Sequence, residues 1–198
     1  MPNIEHDINK YDKYFITPDY NESATRNYYS NIEKILQSGV KLIQFRSKNL
    51  TSEKYCEISR KISTLCKKYK SYFIINGVDN LKFNKYCDGI QLTSDNIKNV
   101  NIKSIDRKYF LIGSCHNENE IIICNNSNID LITISPIYNT GSKIGIGWDK
   151  FRELTKKSKQ PVFALGGLNY KRDIDTIRKS GGIGLASKSY FYNLFEAR

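Results

Sequence analysis

Short apolar runs recur along the chain, at residues 14–17, 40–45, 72–75, 90–92, 109–113, 131–134, 161–165 and 183–187. They are too short for helices, and most are built from β-branched and aromatic residues, so buried strands are expected. Between them the apolar positions change period. Tyr28, Ile32, Ile35 and Leu36 recur at helical spacing, as do Tyr55, Ile58, Ile62 and Leu65, then Trp148, Phe151 and Leu154, then Ile174 and Ile177. Thr51 or Ser52 is placed to cap one helix, and Gly39 and the Gly181-Gly182 pair to end two others. Shorter helices are expected through Leu81 and Phe83, from Glu118 to Cys124, and from Tyr190 to Phe195.

This alternation of strand and helix marks an α/β fold. Strands that are apolar without a break belong to a parallel sheet covered on both faces. An open doubly wound sheet is the competing arrangement. Eight repeats favour closure into a compact (β/α)8 TIM barrel. No linker or shift in composition divides the chain, so residues 13–198 are expected to form a single barrel domain behind a polar tail, residues 1–12, that includes His6.

The last two strands carry a further signal. Ala164-Leu165-Gly166-Gly167 and Gly184-Leu185-Ala186-Ser187 each end an apolar run in small residues. Such turns let backbone N–H groups approach a ligand closely, and two side by side suit a phosphate. Tight turns alone are the plainer reading.

Composition narrows the class. The 198 residues are 39% hydrophobic, which argues against disorder, and no apolar run is long enough to span a bilayer. The polar, acidic start, Met1 to Asp7, has no signal-peptide core, so a cytoplasmic protein is expected. Five scattered cysteines, without a Cys-x-x-Cys pair, argue against a disulfide framework or a zinc site. The net charge of +11, from 31 Lys and Arg against 20 Asp and Glu, favours an anionic partner. No nucleic-acid motif accompanies it, so phosphorylated small molecules are the expected partners, with neither nucleic acid nor membrane; self-association is left open.

In a barrel the C-terminal strand ends form the reactive face. Strand two ends in Gln44, Arg46 and Lys48, alternating toward one side; strand three in Asn76; strand four in Gln91, with Asp95 beyond it. Strand five ends in Ser114 and His116, and the sixth loop carries Thr140, Ser142 and Lys143. Cations and amides around one mouth suit a substrate with more than one phosphate. Asp95 is placed to help hold Mg²⁺ on a diphosphate, or simply to cap a helix. His116 bridges or caps the next helix more readily than it catalyses, and Cys115 beside it is a candidate nucleophile only if accessible.

These motifs, in their order, resemble the thiamine phosphate synthase and thiazole tautomerase superfamily. The likeness rests on Gln44-Phe45-Arg46-Ser47-Lys48, Ile75-Asn76, Asp88-Gly89-Ile90-Gln91-Leu92, Gly113-Ser114-Cys115-His116, Ser135 to Thr140 and Ala164 to Gly167. The wording Ser114-Cys115-His116-Asn117 and Ala164-Leu165-Gly166-Gly167 is most similar to a branch that some bacteria fuse behind a Nudix hydrolase. The resemblance implies a transferase that couples hydroxymethylpyrimidine diphosphate to thiazole phosphate with Mg²⁺. It implies that Gln44, Arg46, Lys48 and Asn76 hold the pyrimidine diphosphate and that Asp95 is a magnesium ligand. Ser114, Thr140 and Lys143 would surround the diphosphate, and Gly167, Ala186 and Ser187 would take the thiazole phosphate. Gln91 is counted with the substrate-binding residues.

The chain departs from the family pattern at several points. Gly77 stands where the synthase has a second magnesium carboxylate, with Asp79 two positions late. Thr93-Ser94 replaces Gly-Gln before Asp95, and the sixth loop lacks its proline-rich sequence. Pro136 stands where a tautomerase has its histidine. A tautomerase-like barrel and a non-catalytic phospholigand-binding barrel are therefore the alternatives.

Overall fold

The computed structural model describes residues 8–83, 86–141 and 143–196; His6 and Ser142 lie outside them. Eight parallel strands close a barrel in chain order, with β8 paired back to β1. They are β1 (Lys13–Ile16), β2 (Leu42–Phe45), β3 (Tyr72–Asn76), β4 (Gly89–Leu92), β5 (Phe110–Cys115), β6 (Leu131–Ile134), β7 (Val162–Leu165) and β8 (Gly184–Ser187). Around them run α1 (Thr25–Gln37), α2 (Ser52–Lys68), α3 (Ser94–Asn99), α4 (Glu118–Asn125), α5 (Gly147–Lys157), α6 (Tyr170–Lys179) and α7 (Ser189–Glu196).

Strand alternation sorts the core into two. Tyr14, Leu42, Ile74, Phe110, Ile112, Leu131 and Phe163 fill the barrel, while Phe15, Ile43, Phe73, Ile75, Leu111 and Ile132 face the helices. Both faces are dry, which is why the strands appear in the sequence as unbroken apolar runs. Each fully buried side chain of this size contributes about 1.5–3 kcal/mol.

Helix ends follow the local chemistry. Thr51 caps α2 by accepting the Lys54 N–H. Gly181, at φ +91°, takes the left-handed turn that stops α6. The helix expected through Leu81 and Phe83 is a 3₁₀ turn, Val78–Phe83.

The N-terminal stretch is more than a tail from residue 8 onward. A 3₁₀ turn, Ile8–Lys10, puts Ile8 into the cluster that fills the barrel, closing its lower end. The Asp12 carbonyl then accepts the Leu185 N–H at 3.1 Å. Glycine at 184 is required there, since a Cβ would lie 2.5 Å from the Asp12 backbone.

Candidate active site

A cavity of about 590 Å³ opens at the C-terminal ends of the strands. Its wall includes Gln44, Arg46, Asn76, Gln91, Asp95, Ser114, Thr140, Lys143, Gly167 and Ser187, so most of the residues expected from sequence are brought together. Ala186 is buried just behind that wall. Lys48 is not part of it: β2 ends at Phe45, the chain bends, and Lys48 is exposed with its N–H bound to Asp19 at 3.1 Å. The strand alternation that would have aimed Lys48 inward stops three residues too early. Asp79 is likewise exposed and outside the cavity wall.

The wall also holds Lys188 and Ser189, which follow β8 and carry no motif in the sequence, together with Ser135 and Ser94. Among the described residues, Arg46, Lys143 and Lys188 form no ion pair, and Asp95 is the one carboxylate in the wall. A mouth with that balance attracts a polyanion.

The glycine turn has two functions. Gly166 and Gly167 take φ +110° and +70°. A Cβ on Gly166 would lie 2.6 Å from Pro136 Cβ, so the glycine admits the β6 exit, where Ile137 and Tyr138 donate N–H groups to Leu165 and Gly166 carbonyls. Among the described residues the Gly167 N–H has no protein acceptor. It remains available for an anion.

Asp173, in the first turn of α6, fastens this corner. It accepts the Asn169 N–H at 2.7 Å and the Tyr138 hydroxyl at 3.2 Å, and pairs with Arg172 at 2.9 Å. Arg172 also donates to the Gly167 carbonyl at 3.1 Å, and Trp148 Nε1 donates to Tyr138 at 3.1 Å. Burial pushes the Asp173 carboxyl up, but Arg172, Asn169 and Tyr138 outweigh it and hold it below the usual carboxylate range. A depressed folded value means that its stabilisation is present above the ordinary carboxylate range. It is lost as the pH falls through the folded value. Asp173→Ala is expected to cost about 2–4 kcal/mol and to remove part of the acid-dependent loss of stability, both measured by thermal melting across pH.

At the β5 exit the His116 N–H donates to Glu120 at 2.6 Å, and Glu120 pairs with Lys98 of α3 at 3.0 Å. The His116 ring bridges strands instead of capping a helix, a role taken by Asn117. Its Nδ1 lies 2.7 Å from the Ser135 carbonyl and so carries the proton, which leaves Nε2 as acceptor in the neutral ring. Cys115 is fully buried, 3.7 Å from Cys124 Sγ, and the neighbouring thiol and burial push it far up; it is no nucleophile.

No group of three or more metal-binding side chains occurs among the described residues. Magnesium needs less, since one or two carboxylates with substrate phosphate oxygens suffice. Asp95 fits that role: it is exposed at the mouth, held by Asn99 Nδ2 at 2.7 Å, while Thr93 makes the helix cap. Gly77 is buried at φ +80°, so a carboxylate there would carry about 1 kcal/mol of backbone strain.

No helix among the described residues is long and apolar enough to cross a membrane. The family model described as thiamine monophosphate synthase matches residues 13–189. The chain is 32% identical over 178 residues to a thiamine-phosphate synthase of Prochlorococcus marinus, covering 88% of this chain but only 49% of that longer one. It is 31% identical to the thiamine-phosphate synthase of Persephonella marina, covering 77% of this chain and 75% of the other. The solved thiamine phosphate pyrophosphorylase of Pyrococcus furiosus has the same fold, with a TM-score of 0.77 at 24% identity over 94% of this chain and 88% of that one. With the family's motifs ordered around one barrel mouth and the match running from β1 into α7, the chain belongs to the thiamine monophosphate synthase family.

Proposed function

We propose that this barrel couples hydroxymethylpyrimidine diphosphate to a thiazole phosphate and releases diphosphate. The observation that carries the reading is the single cavity that holds Arg46, Lys143 and Asp95 together with the glycine turn at Gly166-Gly167. Arg46 follows β2 and the Gly166-Gly167 turn follows β7, three strands apart around the closed ring, which supports separate placement of the two reactants.

In the coupling, the bond between the pyrimidine methylene and the diphosphate oxygen breaks, and its electron pair leaves with diphosphate. The thiazole nitrogen then gives its lone pair to the methylene, forming the new C–N bond. No protein nucleophile takes part. Arg46, Lys143 and Ser114 steady the leaving charge, and the Gly166-Gly167 turn with Ser187 aligns the second reactant. Bound magnesium supplies further positive charge to the diphosphate, with Asp95 as the residue that would hold it. Within the family, the wording at Ser114–Asn117 and Ala164–Gly167 supports a place near the Nudix-fused branch.

A second reading has one observation in its favour. The His116 ring, from β5, sits against Ser135 beside Pro136, where a tautomerase carries its histidine. Diphosphate release that requires both substrates and Mg²⁺ supports coupling; conversion of thiazole phosphate alone supports a tautomerase. Binding of both without turnover supports a phospholigand-binding barrel.

A further inference from the structure

The cavity floor holds a chain of hydrogen bonds that runs in one direction. Gln44 Nε2 donates to the Tyr14 hydroxyl at 3.0 Å, and Tyr14 donates to Gln91 Oε1 at 3.0 Å. Gln91 Nε2 donates to Ser114 Oγ at 2.7 Å and to Thr133 Oγ1 at 3.3 Å. Thr133 passes its own hydrogen to the Gly113 carbonyl at 3.4 Å. Tyr14, Gln44 and Gln91 are 0%, 2% and 3% exposed, so the two amides depend on one another and on Tyr14 for most of their hydrogen bonds.

Tyr14 sets the direction. A phenol has one hydrogen, and here it goes to Gln91. That fixes the Gln91 carbonyl toward Tyr14 and its NH₂ toward Ser114. Ser114 Oγ is therefore an acceptor on its floor side, and its own hydrogen has no protein acceptor among the described residues. With the Gln91 amide turned over, its carbonyl would take the Ser114 hydrogen and withdraw it from the cavity. Burial raises the Tyr14 phenol far above its usual value, with the Gln44 bond only partly opposing, so the donor persists across the working pH range.

We infer that Tyr14 is a positioning residue: it sets the hydrogen-bond direction of the barrel floor and so keeps Ser114 a donor toward the anion bound in the mouth. This rests on the mouth being a diphosphate site, as proposed above. Phenylalanine at 14 would keep the ring and its edge contact with Phe163, at 6.1 Å between centroids, while removing the one hydrogen that orients Gln91.

The test is titration calorimetry with inorganic pyrophosphate and Mg²⁺ on the wild type, Tyr14→Phe, Ser114→Ala and the double variant. Tyr14→Phe is expected to weaken binding about tenfold, as for one lost hydrogen bond to a charged group. The double variant should bind no more weakly than Ser114→Ala alone, because Tyr14 acts only through Ser114. Wild-type affinity in Tyr14→Phe, or losses that multiply in the double variant, would overturn the inference. Failure of the wild type to bind pyrophosphate would overturn it together with the diphosphate reading. Pyrophosphate binding with the expected coupling, but no thiamine phosphate formed, would uphold it and remove only the synthase reading.

Discussion

Arg46→Ala is expected to lower kcat/KM for the coupling reaction at least about 100-fold, a loss of roughly 3 kcal/mol of transition-state stabilisation. The residue follows the last position of β2 and lines the cavity, where no carboxylate among the described residues neutralises it. Its N–H is anchored on Thr17 Oγ1 at 3.1 Å, so the side chain leaves a fixed point of the rim. A guanidinium there can hold two diphosphate oxygens at once, and a lysine only one, so Arg46→Lys should recover a minor part of the rate. Steady-state kinetics on both variants checks this. A rate within threefold of the wild type for Arg46→Ala would remove it from the reaction.

The second large effect is expected at the opposite corner. Gly166→Ala should lower the affinity for thiazole phosphate more than about 30-fold and reduce stability by about 3 kcal/mol. Two causes add here. The alanine Cβ would lie 2.7 Å from Pro136 Cα and 2.9 Å from the Ile137 nitrogen, and the backbone at φ +110° disfavours any side chain. The clash is with backbone, so no rotamer change relieves it, and the β6 exit must move away from β7. Gly141→Ala is the control, because its Cβ meets nothing within 4 Å and only the left-handed φ of +56° opposes it. Thermal melting and substrate titration of the two variants separate the packing role from torsional strain.

The barrel was legible because burial on both strand faces leaves a mark that survives in sequence: a short run with no polar gap. The same signal located β4, though it is only four residues long. Position along the chain also revealed the mouth, since most of the expected side chains lie at or just beyond strand ends. Lys48 was expected in the mouth and lies outside its wall because an alternation rule assumes that the strand continues, and β2 does not. Ile8 escaped because a single apolar residue among polar ones carries no period. Asp173 looked like an ordinary acidic residue in the first turn of a helix, and only the fold shows it joining the β6 and β7 exits. Lys188 was hidden among many surface lysines in a chain with 31 basic residues. Tyr14, Gln44 and Gln91 did leave a faint sign, as polar groups inside apolar runs, but their direction of hydrogen bonding is a property of three strands together.

With Asp95 as the one carboxylate in its wall among the described residues and Gly77 in place of a second, this mouth is expected to couple the two phosphorylated halves. The most direct measurement is mass-spectrometric detection of thiamine phosphate after incubation with hydroxymethylpyrimidine diphosphate, thiazole phosphate and Mg²⁺, with chelated metal as control. Thiamine phosphate that forms with the metal and disappears on chelation is the predicted result. Folded protein that yields no thiamine phosphate with either thiazole isomer would contradict the claim.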